Sequence, residues 1–165
     1  MSGVASLLAE LQRAARLSER IRAAAARPSS LAKIDRSPVT IADFAVQALL
    51  CRAVRALFPD DSIVAEERSD ALRDPTNAPL RDGVVRHLRG ALGEPTLSAD
   101  ELLGWIDLGD GPTGERFWTL DPIDGTQGFL RDDQYAIALA LIERGAPRLS
   151  FLVCLAFEQS AGRGL

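Results

Sequence analysis

Apolar residues return at helical spacing near the start of the chain. From Val4 to Ala26, Leu7, Leu8, Leu11, Ala15, Leu17 and Ile21 form a stripe with arginines between them, which predicts an amphipathic helix ended by Pro28-Ser-Ser. A second helix is predicted from Ile41 to Phe58, stopped by Pro59-Asp-Asp. Ser62 to Ala65 is a short apolar strand. Arg68 to Pro79 is polar, carries two prolines and reads as a loop. Helical patterns follow at Asp82–Leu92 and Ser98–Ile106, the second with Ser98 as N-cap and Glu101 three residues on. Arg116 to Leu120 is a strand. Tyr135–Glu143 and Arg148–Phe157 are β runs joined at Arg144-Gly-Ala-Pro147, a hairpin signal.

This order predicts an α+β fold, with helices packed on a largely antiparallel sheet. The segment Glu158–Leu165 is a polar, glycine-bearing tail. No internal repeat or linker divides the sequence, so residues 1–165 are read as one unit. The last strands are apolar on both faces, as if built to be covered; left open, they invite self-association.

Composition narrows the function classes. With 47% hydrophobic and 25% charged residues the chain suits a globular domain, not a disordered one. A net charge of −4, without a concentrated basic stripe beyond the arginines of the first helix, argues against nucleic acid as the main partner. Cys51 and Cys154 lie far apart in apolar surroundings and are expected to be buried free thiols. His87 is the single histidine, expected on a helix surface, so a Cys/His zinc site is excluded by count. The N-terminal segment is charged throughout and no stretch is apolar enough to span a bilayer, which predicts a cytoplasmic protein without membrane contact.

Candidate chemistry concentrates in Trp118-Thr-Leu-Asp-Pro-Ile-Asp-Gly-Thr-Gln-Gly-Phe129. Asp121 and Asp124 stand three residues apart around a proline, ahead of a glycine and a helix start. Magnesium prefers a few carboxylates plus water and substrate phosphate in octahedral geometry. Asp121, Asp124 and the carbonyl of Ile123 offer such oxygens. The N–H groups of Gly125, Thr126 and Gln127 would open the helix, where free N–H groups receive phosphate. The bland alternative is a β-turn built from Asp-Pro and Asp-Gly. Two upstream segments bear on the choice: Lys33-Ile-Asp-Arg-Ser-Pro-Val-Thr-Ile-Ala-Asp-Phe-Ala-Val-Gln47 and Ser62-Ile-Val-Ala-Glu-Glu67. Each has a structural reading of its own. Thr40-Ile-Ala-Asp43 also reads as a helix-capping box, Glu66-Glu67 as a solvated pair, and Thr126 as an N-cap hydroxyl.

In this order the three segments resemble the magnesium-dependent phosphatases of the inositol monophosphatase superfamily. The Ser-Pro-Val-Thr-x-Ala-Asp run and Gly128-Phe-Leu-Arg-Asp-Asp-Gln-Tyr-Ala136 are similar to its 3'(2'),5'-bisphosphate nucleotidase branch. The resemblance covers Lys33 to about Leu155. It implies the first αβ unit of a layered (αβαβα) sugar-phosphatase fold and hydrolysis of the 3'-phosphate of 3'-phosphoadenosine 5'-phosphate. Within it, Glu66, Asp121, Asp124 and the Ile123 carbonyl match metal ligands for Mg2+. Asp43 and Thr126 match the pair that activates the attacking water, and Gly125 and Thr126 lie at the phosphate. The implied partner is a small nucleotide phosphate monoester, with an inositol phosphate as the alternative. Departures are Ala65 for a glycine, Gln127 for a lysine and Asp132 for a glycine. The family's further aspartate, in a Trp-Asp-x-Ala-like motif, has no counterpart, because Trp105-Ile-Asp107 precedes the turn and does not match. A truncated, inactive fragment is the third reading.

Overall fold

The computed structural model describes residues 2–25 and 38–155. The Pro28 helix stop, the Lys33–Ser37 part of the upstream motif and the Glu158–Leu165 tail lie outside them. Two long helices come first, α1 (Ser2–Ala25) and α2 (Pro38–Leu57), followed by strand β1 (Ser62–Ala65). Then come α3 (Asp70–Arg73), a 3₁₀ turn (Pro75–Asn77), α4 (Ala78–Leu92) and α5 (Ala99–Asp107). Strand β2 (Arg116–Asp124), the short helix α6 (Thr126–Leu130), β3 (Tyr135–Glu143) and β4 (Ala146–Leu155) complete the order.

The four strands form one sheet in the order β1-β2-β3-β4. Strand β1 runs parallel to β2; the β2–β3 and β3–β4 pairs are antiparallel. The sheet is therefore mixed and largely antiparallel, and the fold is α+β as its pattern predicted. The hairpin turn is tighter than the sequence suggested. Arg144 and Gly145 alone make it, both at positive φ, and Ala146 and Pro147 already belong to β4. Two left-handed residues suit the right-handed twist of the flanking strands.

Helix α2 lies at the centre, packed against α1, α4, α5 and the covered face of the sheet. Residues 42–51 are all buried. A helix buried on every side reads apolar all round, and Phe44, Val46, Leu49, Leu50 and Val54 fill the core here. Asp43 and Gln47 are therefore polar exceptions, one helical turn apart on a buried helix. In α1, Leu7, Leu11, Leu17 and Ile21 are buried as expected, whereas Leu8 falls off the stripe and is exposed. Trp118 is fully buried, with its ring 5.0 Å from that of Phe58. Its indole N–H donates to Asp61 Oδ2 at 2.9 Å, and Arg116 Nε donates to Asp61 Oδ1 at 2.7 Å. This ties the entry of β2 to the end of the α2–β1 connection.

Four expectations need correction. The predicted loop at Arg68–Pro79 holds α3 and the 3₁₀ turn, and α4 begins at Ala78. The prolines start these elements and do not break them: Pro75 opens the 3₁₀ turn and Pro79 stands in the first turn of α4, where a missing N–H costs nothing. Thr40 is not the N-cap of α2, because the helix begins two residues earlier at Pro38. Strand β2 does not stop at Leu120 but continues through Asp124. Cys154 is exposed, whereas Cys51 is buried as expected. Strand β4 is at the sheet edge and alternates, so Cys154 shares its open face with Ser150 and Leu152. The cap of α5 is as its pattern predicted: Ser98 and Glu101 form a complete capping box. Among the described residues no helix is long and apolar enough to cross a membrane.

Candidate metal and phosphate site

The end of β2 owes its shape to an irregular register. Asp121 pairs with Ala138 and Asp124 with Ala136, so three steps along β2 match two along β3. One extra residue on one strand is a β-bulge, and Pro122, which cannot donate to the ladder, lies inside it. The bulge has a chemical consequence. Residues three apart on a regular strand point to opposite faces. With one residue looped out, Asp121 and Asp124 occupy equivalent positions, opposite two alanines of the same face of β3.

Gly125 follows at φ +88°, a left-handed conformation that glycine adopts without strain, and turns the chain into α6. The Gly125 carbonyl accepts from the N–H groups of Gly128 (2.8 Å) and Phe129 (3.1 Å). The N–H groups of the first turn of α6 have no carbonyl one turn earlier to bond, and residues 124–127 are exposed. The Thr126 hydroxyl makes a long contact of 3.5 Å to the Ile123 carbonyl. Among the described residues it makes no hydrogen bond to Asp43.

The loop after α6 is locked against it. Gly128 lies against Gln134, and the Asp133 N–H donates to the Gly128 carbonyl at 2.8 Å. Asp132 has φ +59°, a conformation that aspartate tolerates better than most residues. Its carboxylate pairs with Arg22 of α1 at 3.1 Å. Arg22 also sits over the Tyr135 ring, 5.2 Å from its centroid, and the Tyr135 hydroxyl is 3.0 Å from that of the buried Ser18. Thus α1 holds the far side of the turn.

From the other direction α2 brings in Asp43, and the residues after β1 bring in Glu66 and Glu67. Asp43 is 8% exposed. Burial, then the charges of Glu67, Glu66 and Asp121, push its pKa up to about 8. Burial first, and then Glu66 and Asp121, raise that of Glu67. Asp121 is raised by burial and by Glu66 and Asp124, with the Ile123 N–H partly opposing. Its Oδ1 is buried with no hydrogen-bond partner among the described residues. The structure thus makes neighbours of Asp43, Glu66 and Asp121, with Asp124 beside Asp121 and with Ile123, Gly125 and Thr126 in the turn. It adds Glu67, to which the sequence reading gave no role; the signal was its place next to Glu66.

Buried carboxyl groups that also raise one another's pKa values either hold a proton or share a positive charge. An all-oxygen donor set with an orphaned buried oxygen fits a hard cation. Among the described residues, no three His, Cys, Asp or Glu side chains stand close enough to enclose an ion by themselves. Water or a phosphate oxygen would have to complete the coordination.

A carboxylate cluster facing a bulge, a left-handed glycine and a helix start brings oxygen donors and backbone N–H groups together at one end of the sheet. The sequence profile of the Inositol monophosphatase family matches residues 4–164, and the chain belongs to that family. It is 46% identical over 134 residues to the 3'(2'),5'-bisphosphate nucleotidase of Schizosaccharomyces pombe, a match covering 76% of this chain and 38% of the relative. It is 43% identical over 140 residues to 3'(2'),5'-bisphosphate nucleotidase 1 of Candida albicans (strain WO-1), covering 78% and 38%. With 3'(2'),5'-bisphosphate nucleotidase 1 of Arabidopsis thaliana it shares 40% identity over 152 residues, covering 86% and 43%. The chain spans about two fifths of the length of these curated relatives.

Proposed function

We propose that this chain carries the metal- and phosphate-binding part of a magnesium-dependent phosphomonoesterase, whose substrate is 3'-phosphoadenosine 5'-phosphate. One observation carries the reading: the bulge at Pro122 sets Asp121 and Asp124 on one face, beside the exposed Glu66 and the buried Asp43. Names of the relatives support the substrate class, and the all-oxygen donor set supports Mg2+.

In this reading Glu66, Asp121, Asp124 and the Ile123 carbonyl hold Mg2+. When bound, the ion lowers the pKa of a water and offsets charge on the phosphate. The chain's own groups do the rest. The N–H groups of Gly125 and Thr126 orient the phosphoryl oxygens at the start of α6. Asp43 takes the proton of the attacking water. That role requires its carboxylate form, which burial and the neighbouring carboxylates disfavour and a cation at Asp121 and Glu66 would favour. Thr126 positions the water through its hydroxyl, which must turn from the Ile123 carbonyl to do so. No covalent nucleophile is needed. The proposed setting is the cytoplasm.

A second reading has one observation in its favour: no three acidic side chains close on an ion among the described residues. On that reading the chain binds cation and phosphate without turnover. The open face of β3 and β4, with Leu152 64% exposed, then favours association with another chain.

The test is phosphate release from 3'-phosphoadenosine 5'-phosphate by the purified chain, with and without Mg2+, beside Asp124→Asn. Release that needs both Mg2+ and Asp124 is expected. Equal rates in the two proteins would sink the enzymatic reading. No release from a folded chain that still binds Mn2+ would leave the second reading in place.

A further inference from the structure

Gln47 is fully buried, one helical turn beyond Asp43 on α2. A buried primary amide must satisfy two donors and an acceptor, and the partners here all belong to other segments. Gln47 Nε2 donates to the Glu67 carbonyl at 2.8 Å, and the Glu67 N–H donates to Gln47 Oε1 at 2.8 Å. The side chain therefore pairs with the backbone of Glu67 as a strand would. Nε2 also lies 3.5 Å from the Ile106 carbonyl near the end of α5. Gly109 packs against the amide, its Cβ position 3.0 Å from Nε2 and 2.7 Å from the Ala65 side chain. Three stretches of chain meet at this amide: α2, the segment after β1, and the end of α5.

The segment after β1 needs such a clamp. Strand β1 is four residues long and ends at Ala65. Glu66, Glu67 and Arg68 belong to neither strand nor helix. Glu66 and Glu67 face Asp43 and Asp121 across the site, so the placement of this stretch sets the spacing of the carboxyl groups. The β1–β2 pairing ends at Ala65, and Gln47 supplies a pair of hydrogen bonds to the backbone of Glu67 beyond it. Because Gln47 and Asp43 share one rigid turn of α2, the bond fixes the Glu66–Glu67 backbone relative to the Asp43 carboxyl.

We propose that Gln47 is a positioning residue for the carboxylate site: it sets the spacing between Asp43 on α2 and the Glu66–Glu67 pair. The proposal rests on the reading that these carboxylates hold a divalent cation. Partners that orient metal-binding groups contribute about tenfold to a hundredfold in metal affinity.

The experiment is Mn2+ binding by calorimetry, well below the melting temperature of each protein, on the wild-type chain, Gln47→Met, Gln47→Glu and Asp121→Asn. Hydrogen exchange at the Glu67 amide is followed in parallel. Gln47→Met keeps the volume and removes both bonds. It is expected to melt cooperatively, to lose protection at the Glu67 amide and to bind Mn2+ about tenfold more weakly. Should it fail to melt cooperatively, Gln47→Glu carries the test. That variant keeps the acceptor for the Glu67 N–H and, once its carboxyl ionises at raised pH, loses the donor to the Glu67 carbonyl, so a loss of affinity of threefold or more, growing with pH, is expected. Mn2+ affinity equal to wild type in a folded Gln47 variant, with a lowered melting temperature only, would overturn the proposal and leave Gln47 a purely structural residue. If the wild-type chain and Asp121→Asn bind Mn2+ alike, or neither binds, the cation reading itself fails and takes the proposal with it.

Discussion

Gly128 sits so close to Gln134 that a Cβ on it would lie 1.8 Å from the Gln134 carbonyl oxygen. No side chain fits there unless the backbone moves. The relationship joins the two halves of the candidate site's outer wall, because α6 carries Thr126 while the loop leading to Gln134 returns the chain to β3.

Gly128→Ala is therefore expected to do more than a helix-favouring substitution should. Alanine in a helix gains about 1 kcal/mol over glycine from propensity, but overpacking typically costs about 1–3 kcal/mol and occasionally more. At so short an approach the clash wins. Thermal unfolding should show a net loss of stability, and phosphate or Mn2+ binding should weaken more than the fall in melting temperature explains. An unchanged melting temperature would show that the loop can yield freely.

Burial and repulsion at Asp43 predict a pH dependence of folding in the absence of divalent cations. Its pKa rises from 3.8 to about 8 on folding. The folded protein therefore binds the extra proton, and this stability is complete below about pH 4 and drains away as pH rises through 8. One pKa unit is worth about 1.4 kcal/mol, so the loss from this group reaches up to about 6 kcal/mol. The raised values at Glu67 and Asp121 act in the same direction. Asp43→Asn should flatten the decline between pH 4 and 8 and stabilise the metal-free protein at pH 8. Adding Mn2+ to the wild type should raise the melting temperature more at pH 8 than at pH 5. Urea titrations across that range check both statements.

The two thiols should separate cleanly. Cys51 is buried, and burial pushes its pKa up to about 12, so it carries almost no thiolate at neutral pH. Cys154 is exposed on the open face of β4. A disulfide reagent at pH 7.5 should modify one thiol per native chain quickly and the second only on unfolding. Cys154→Ser should abolish the fast phase. Protection of Cys154 that disappears on dilution would place that face in a contact between chains.

Much of this protein was legible without coordinates. Periodicity was enough for α1, α2 and the β3–β4 hairpin, because burying one face imposes a spacing of 3.6 or 2 regardless of neighbours. The α5 cap was readable because a capping box is local chemistry between Ser98 and Glu101. The start of α2 at Pro38 and the helices hidden in Arg68–Pro79 were not, since a proline permits either a break or a first turn and packing decides which. The burial of Cys51 and the exposure of Cys154 likewise depend on which layer covers which face.

For the candidate site the division is sharper. Residue types and spacing along the chain singled out Asp121, Ile123, Asp124, Gly125 and Thr126, and the family resemblance added Asp43 and Glu66. Only the tertiary structure made neighbours of the acidic residues that come from α2, from the end of β1 and from β2. It also decided that a bulge cancels the odd spacing of Asp121 and Asp124, that burial and then neighbouring carboxyl groups raise the pKa of Asp43, and that Gln47 clasps Glu67. Spacing along a strand or helix is set by local geometry, which the sequence carries. Charge coupling and burial depend on distances between segments far apart in the chain, and those exist only once the chain has folded.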